Sequence, residues 1–439
     1  MSFLDTLIAN VTAVTMNERM DVLFGAFIGI DDGKIVHIGK EPPKDPPKTI
    51  VDGTGMVAMP GLINCHTHLA ATGLRNLYDD MPRRDALAQQ LSREDKLDRR
   101  SAKASALLGI AEALRFGTTS VSDLYYYPDA TAEAAKEVGI KANVALSAYR
   151  FVDENEDFDF DTDEQCRELC RLTEKWENDP LIRVDAGIYA EYTSNYRLWD
   201  SLSAYALEKN IGFQLHLAET EKESEECADR TGLTPGELLA CHGIFREGTC
   251  AAGCAALTPE ERALLGKKKI SAVATPIANA KTGLPLMPIP ETVKSGINVA
   301  LGTGSVSECG NLDMFEVMRF TALSQRLAGG DSDTMPAAAV LMMATVCGAR
   351  AQGRADRCGM LKTGMDADLI LLDFTKPHLT PCHNVLTALV FSAKGSDVAL
   401  TMAGGKILYK NGEFPTLDLA AVTEDVKGYT LDRLFDEKG

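Results

Sequence analysis

The sequence has no run of about 18 uncharged apolar residues, the length a membrane-spanning helix needs, so a spanning segment is not expected. Its first residues, MSFLDTLIANVTAV, lack a basic stretch followed by an apolar one, and a cytosolic location is expected from that. Positive charge is scarce: 45 Lys and Arg stand against 63 Asp and Glu, for a formal net charge of −18. No Lys/Arg stripe interrupts that field, which excludes phosphate backbones and anionic lipid surfaces as natural partners. Neither nucleic acid nor a membrane is expected to bind. The 11 cysteines show no CxxC pair and no small-domain spacing, so they are expected to be free thiols packed as small hydrophobes, not a disulfide framework. Internal repeats, low-complexity tracts and long linkers are also missing, and one acidic surface loop is expected at 153–163.

What remains is the composition of an ordinary globular protein, with 45% hydrophobic and 25% charged residues. The length of 439 residues accommodates one barrel of about 250 residues and a small satellite. Residues 7–14, 26–30 and 35–39 read as short strands, with an Asp31-Asp32-Gly33 turn between the last two. After Pro60 apolar strands alternate with helical stretches such as 101–116 and 130–138, the order of a parallel sheet wrapped by helices. Eight strands are predicted at 62–68, 118–123, 142–146, 183–189, 212–217, 249–254, 270–275 and 298–303, and eight is the number that closes a barrel. Strand patterning returns at 367–373, 398–402 and 407–409, so the two chain ends read as halves of one β-domain. The expected architecture is an α/β (β/α)8 TIM barrel over 59–358 with a small β-sandwich domain from 1–58 and 359–439.

The most informative segment is Met59-Pro-Gly-Leu-Ile-Asn-Cys-His66-Thr-His68. Histidines at i and i+2 of a strand point the same way, so both imidazoles can reach one ion at the C-terminal mouth of a barrel. Further segments accompany it: Glu112-Ala-Leu-Arg-Phe-Gly-Thr-Thr119, His216-Leu-Ala-Glu219, Leu312-Asp-Met-Phe-Glu316 and Gly364-Met-Asp-Ala-Asp-Leu369. On these residues the chain resembles the amidohydrolase superfamily over nearly its whole length. Within it, the chain is most similar to the aminohydrolase branch that includes S-adenosylhomocysteine and methylthioadenosine deaminases and triazine chlorohydrolases.

That resemblance implies one divalent ion, zinc first and iron second, held by His66, His68 and His216, with Glu219 shuttling a proton. A core role for His216 is the alternative. The resemblance also implies losses. Gly253 stands where relatives carry a water-orienting His, Ala274 where they carry another His, and Gly304 where an Asp ligates the ion, so the ion itself could be absent. Smaller residues at these positions are expected to open the barrel mouth. Tyr189 aligns with a usual pocket His. Glu308, Cys309 and Cys254 are the nearby candidates to compensate. Tyr125, within the run Tyr125-Tyr126-Tyr127, and Asn279 are candidate substrate contacts, and Asp123 is either a brace for the site or a turn residue. His37, His242, His378 and His383 are expected to be structural.

Three functions follow. The first is a hydrolase cleaving a C–N bond of a small heterocyclic or amidine-like substrate through a reduced metal site. The second is a catalytically silent relative that binds a ligand or partner, and the third a lyase or isomerase using Glu219 as a proton-transfer base. Family resemblance implies a homodimer or homotetramer and a small-molecule substrate.

Overall fold

A computed structural model describes residues 3–153, 156 and 158–435, the side chain of Arg83 excepted. Residues 154, 155 and 157 of the expected acidic loop lie outside it. Eight parallel strands follow one another round the barrel: Leu62–Thr67, Thr118–Tyr125, Lys141–Leu146, Ile182–Gly187, Phe213–Leu217, Thr249–Gly253, Ser271–Ala274 and Asn298–Leu301. All eight overlap the predicted ones, and they are called the first to eighth strands below. Closure between eighth and first rests on polar groups. Asn64 Nδ2 donates to Thr303 Oγ1 at 2.8 Å, Thr303 N donates to Asn64 Oδ1 at 3.0 Å, and Gly304 N donates to His66 O at 3.0 Å. Gly302 is required by this approach, because a Cβ there would lie 2.8 Å from the His66 nitrogen.

Alternation along each strand sorts side chains to two cores. Ile63, Cys65, Cys250, Ala252, Val273 and Ala300 fill the barrel interior, whereas Ala251, Ala272, Ala274 and Leu301 face the surrounding helices. The helices begin where the sequence offers caps. Asp98 accepts from Ser101 N and Ser101 Oγ accepts from Asp98 N, which starts Arg99–Arg115. Proline occupies the first turn of Pro128–Val138, Pro235–Cys241, Pro259–Lys267 and Pro276–Thr282, where its missing N–H costs nothing.

The chain ends form a second, mixed and mainly antiparallel sheet of eight strands, among them Leu4–Val14, Val22–Asp31, Met56–Pro60, Leu369–Asp373 and Val398–Ala403. Two of its strands, Pro47–Asp52 and Met56–Pro60, run parallel to Leu4–Val14 and were not predicted. The edge strand Lys34–Gly39 and the turn before it meet the segment leading into Leu369–Asp373: Ile35 N donates to Met365 O at 2.9 Å and Ala367 N to Gly33 O at 2.8 Å, so the sheet curls round its own core. One face, with Ala58, Leu369, Leu371, Leu400 and Met402, fills that core. Val57, Met59, Ile370 and Leu372 on the other face pack against the barrel.

All 11 cysteines are free; seven are buried as expected, whereas Cys170 and Cys347 are half-buried and Cys241 and Cys382 exposed. No helix among the described residues is long and apolar enough to cross a membrane.

Candidate active site

His66 lies at the end of the first strand, His68 one residue beyond it and His216 on the fifth. The fold brings the three imidazoles together, with potential ligand atoms all within 4.8 Å of one another. Backbone carbonyls set two of the tautomers. His68 Nδ1 lies 2.6 Å from Leu124 O and His216 Nδ1 lies 2.9 Å from Tyr189 O. A carbonyl only accepts, so each Nδ1 carries a hydrogen, and in the neutral ring it is Nε2 that presents a lone pair. His66 Nε2 lies 3.1 Å from His216 Nε2. Burial, reinforced by the neighbouring rings, pushes the His66 imidazole well below its ordinary pKa and that of His68 down to about 3. Buried imidazoles oriented by backbone carbonyls are the donor set that a borderline-soft divalent ion requires, so these residues fit such an ion.

The turn after His68 is braced by the second strand. Asp123 Oδ1 accepts from Leu69 N at 2.6 Å and from Thr67 Oγ1 at 3.1 Å, and Oδ2 accepts from Thr131 Oγ1 at 3.1 Å. Asp123 therefore holds the loop that orients His68, and burial raises its carboxyl to about 6.

Glu219 follows the fifth strand on a second braced turn. Ala218 N and Glu219 N donate to the carboxylate of Glu223 at 3.0 and 2.8 Å. Glu223 was missed in the sequence, although Thr220-x-x-Glu223 has the form of a helix-capping signature. Its carboxylate turns to the preceding backbone instead and so fixes Glu219.

A cavity of about 330 Å³ opens above these residues. His66, His68, His216, Glu219, Tyr125, Tyr126, Tyr189, Asn279, Gly304 and Glu308 all border it. The Tyr189 ring lies 4.7 Å from that of His216, and the Tyr125 ring 5.9 Å from that of His68. Asn279 is engaged in the wall, accepting from Thr275 Oγ1 at 3.0 Å and donating to Pro285 O at 2.7 Å.

The expected opening of the mouth is corrected at two positions. Neither Gly253 nor Ala274 borders the cavity. A Cβ on Gly253 would lie 2.8 Å from Glu219 Cγ, so the space freed there is already taken by the Glu219 side chain. Gly253 also sits at φ +92°, a conformation that glycine adopts freely. Ala274 packs in the helix-facing core, and Thr275 is the seventh-strand residue that reaches the cavity. Of the possible compensating groups only Glu308 borders the cavity. Cys254 and Cys309 are buried, with their thiols turned to Ala251 O and Asn311 O. Three of the remaining histidines have local partners: His37 meets Glu41 O, His242 meets Asp200 and His378 meets Asp397.

Residues 57–408 match the amidohydrolase family. The chain belongs to that family. It is 35% identical to a 5-methylthioadenosine/S-adenosylhomocysteine deaminase from Thermoanaerobacter pseudethanolicus, covering 97% of this chain and 98% of the relative. It is 33% identical to a 5'-deoxyadenosine deaminase from Methanosarcina acetivorans, covering 96% and 97%. A crystal structure of an adenosine deaminase from Xanthomonas campestris with bound zinc superposes with a TM-score of 0.92 at 28% identity, covering 98% of each chain. The expected class, a hydrolase acting on carbon–nitrogen bonds, agrees with these relatives, and they lend no support to a silent scaffold.

One further carboxylate of this amidohydrolase escaped the sequence reading. Glu94 ends the helix Arg83–Glu94, in a stretch dense with charged residues, and only burial distinguishes it. It borders the cavity and accepts from Tyr125 Oη at 2.8 Å and from Gln90 Nε2 at 2.9 Å. Burial raises its carboxyl to about 7. In the unfolded chain this group ionises near 4.5, so between those values the folded state alone keeps the proton. Its contribution to stability is therefore lost as pH rises through that window. Urea denaturation is expected to show wild type losing on the order of 2–3 kcal/mol more than Glu94→Gln between pH 4.5 and 8. Parallel pH profiles would contradict this.

Proposed function

We propose that this amidohydrolase hydrolyses the C–N bond of an exocyclic amine on a small, flat, purine-like heterocycle, releasing ammonia. The observation that carries the reading is the convergence of three imidazoles on one point, two of them aimed by backbone carbonyls, beside a braced carboxylate. His66, His68 and His216 would hold a divalent ion, zinc by the example of the Xanthomonas structure and iron second. Such an ion supplies the acidification of water towards neutrality. Glu219 takes a proton from the attacking water and delivers it to the ring nitrogen beside the carbon under attack. Ionised again, the same carboxylate takes the remaining proton from the newly added hydroxyl and passes it to the amine, so that the C–N bond breaks, ammonia leaves and a C=O forms. Tyr189 and Tyr125 give the ring flat apolar surfaces, and Gln90 and Thr275 offer polar edges.

Deamination by the relatives' names makes adenosine and 5'-deoxyadenosine the first substrates to test. Protein purified without added metal after metal-replete growth is expected to carry about one zinc or iron per chain, the ratio for a three-ligand site with an open position. His216→Ala is expected to lose that metal, and metal-loaded wild type to release ammonia from a purine nucleoside. Metal-free wild-type protein, or metal content unchanged in His216→Ala, would overturn the assignment of the ligands. Metal-loaded protein that releases no ammonia across purine, pterin and triazine amines would overturn the reaction.

A further inference from the structure

Beyond the histidines, the cavity wall is unusually one-sided in charge. Asp79, Asp80, Glu94, Glu219 and Glu308 all border it, against a single cationic side chain among the described residues, Lys281. Lys281 is itself committed: its Nζ lies 2.5 Å from Asp79 Oδ1 and 3.3 Å from Ser307 O. The carboxylates come from separate elements. Asp79, Asp80 and Glu94 belong to the segment between the first strand and Arg99–Arg115, Glu219 follows the fifth strand, and Glu308 lies in Val306–Cys309. Even with Glu94 left aside, because burial raises its carboxyl to about 7, four carboxylates outnumber the three positive charges that a divalent ion and Lys281 would supply together.

Two independent features point to what this charge is for. The first is aromatic: the rings of Tyr78, Tyr125, Tyr126 and Tyr189 border the same space, and the faces of such rings attract cations. The second is a buried acceptor. Ser147 borders the cavity, is 2% exposed, and its buried hydroxyl has no hydrogen-bond partner among the described residues. A buried hydroxyl left unpaired costs about 1–3 kcal/mol, which a ligand N–H would offset.

We infer that the substrate of this site carries a positively charged group, an ammonium, amidinium or guanidinium, attached to the flat ring system. The inference rests on the deaminase reading for the ring and adds the charge. The ring sits between Tyr189 and Tyr125 over the histidines, and the cation reaches towards the carboxylates of the outer wall. An anionic substituent is opposed by the same charges and by the net −18 of the chain, which also steers cations towards the mouth.

Three ligands of one shape test the charge alone: benzamidinium, benzamide and benzoate, titrated calorimetrically into metal-loaded protein. Benzamidinium is expected to bind about tenfold more tightly than benzamide, equivalent to ~1.4 kcal/mol. Benzoate is expected to bind most weakly. Asp80→Asn and Glu308→Gln are each expected to reduce the benzamidinium affinity by about two- to fivefold, as for single partly exposed charge pairs, and to leave benzamide unchanged. Equal affinities for the three, tightest binding by benzoate, or no binding of benzamidinium would overturn the inference. Because no purine is involved and nothing is turned over, these outcomes are independent of ammonia release, which tests the reaction itself.

Discussion

Glu219→Gln is expected to lower ammonia release by about 10²–10⁴-fold while metal content stays the same, the range for removing a positioned acid–base group. The amide keeps the shape of the side chain, and the turn carrying it survives, because the brace runs from Glu223 to the backbone nitrogens of 218 and 219 and not to the side chain. The loss should fall on kcat, since the group acts on the proton in flight and not on ligand binding. A second reason makes the effect large. The resemblance implies that relatives share the proton work between this Glu and an eighth-strand Asp, and Gly304 leaves that position without a side chain. Glu308 is the other acidic side chain near Gly304 that borders the cavity. If Glu219→Gln retained near wild-type activity and Glu308→Gln lost it, the proton shuttle would belong to Glu308. Release measured against pH in both variants separates the two, because the ascending limb disappears with the residue that must be ionised.

Lys141→Met is expected to destabilise the protein by about 3–5 kcal/mol, the cost of stranding buried charge. Lys141 starts the third strand at 1% exposure, and its ammonium lies 2.7 Å from Asp368 Oδ1 and 3.1 Å from Asp366 Oδ2. Those aspartates are nearly as buried. Asp366 also meets Lys34 and Arg357, while Asp368 accepts from Gly404 N at 2.7 Å. The cluster thus ties the barrel to both chain ends at once. Removing the lysine leaves the Asp368 carboxylate with a backbone donor and no cation. Against a typical total stability of about 5–15 kcal/mol this is a large fraction. An exposed pair such as Lys222–Glu226 gives the contrast, because its loss is expected to change stability by about 0–1 kcal/mol. Chemical denaturation of Lys141→Met, Lys222→Met and the double variant Lys141→Met/Asp368→Leu tests the argument. The double variant should recover part of the loss, since it removes the stranded charge; equal destabilisation by Lys141→Met and Lys222→Met would refute it.

The sequence announced this cluster without explaining it. Gly364-Met-Asp-Ala-Asp-Leu369 stood out as a family segment, yet the partner of its aspartates lies more than 220 residues earlier, at Lys141. The pair His66 and His68 was legible because i, i+2 spacing on a strand is a local fact. So were the eight strands, since a period of two and the proline and cap residues of the helices are written within a few positions of one another. His216 and Glu219 were found through resemblance and not through spacing.

Other parts of the site depended on reach. Along the sixth and seventh strands Gly253 and Ala274 read as losses that widened the mouth, but backbone direction decided otherwise: Glu219 fills the space beside Gly253, and Ala274 faces the helices. Glu94 resembled its solvated neighbours until Tyr125 and the cavity were seen around it. Local periodicity and turn chemistry, acting over a few residues, let the sequence alone determine the barrel, the split β-domain and the first two histidines. The third imidazole, the brace on Glu219 and the acidic wall were decided by the tertiary structure, because closing the eighth strand onto the first is what sets groups from distant segments within a few ångströms of one another.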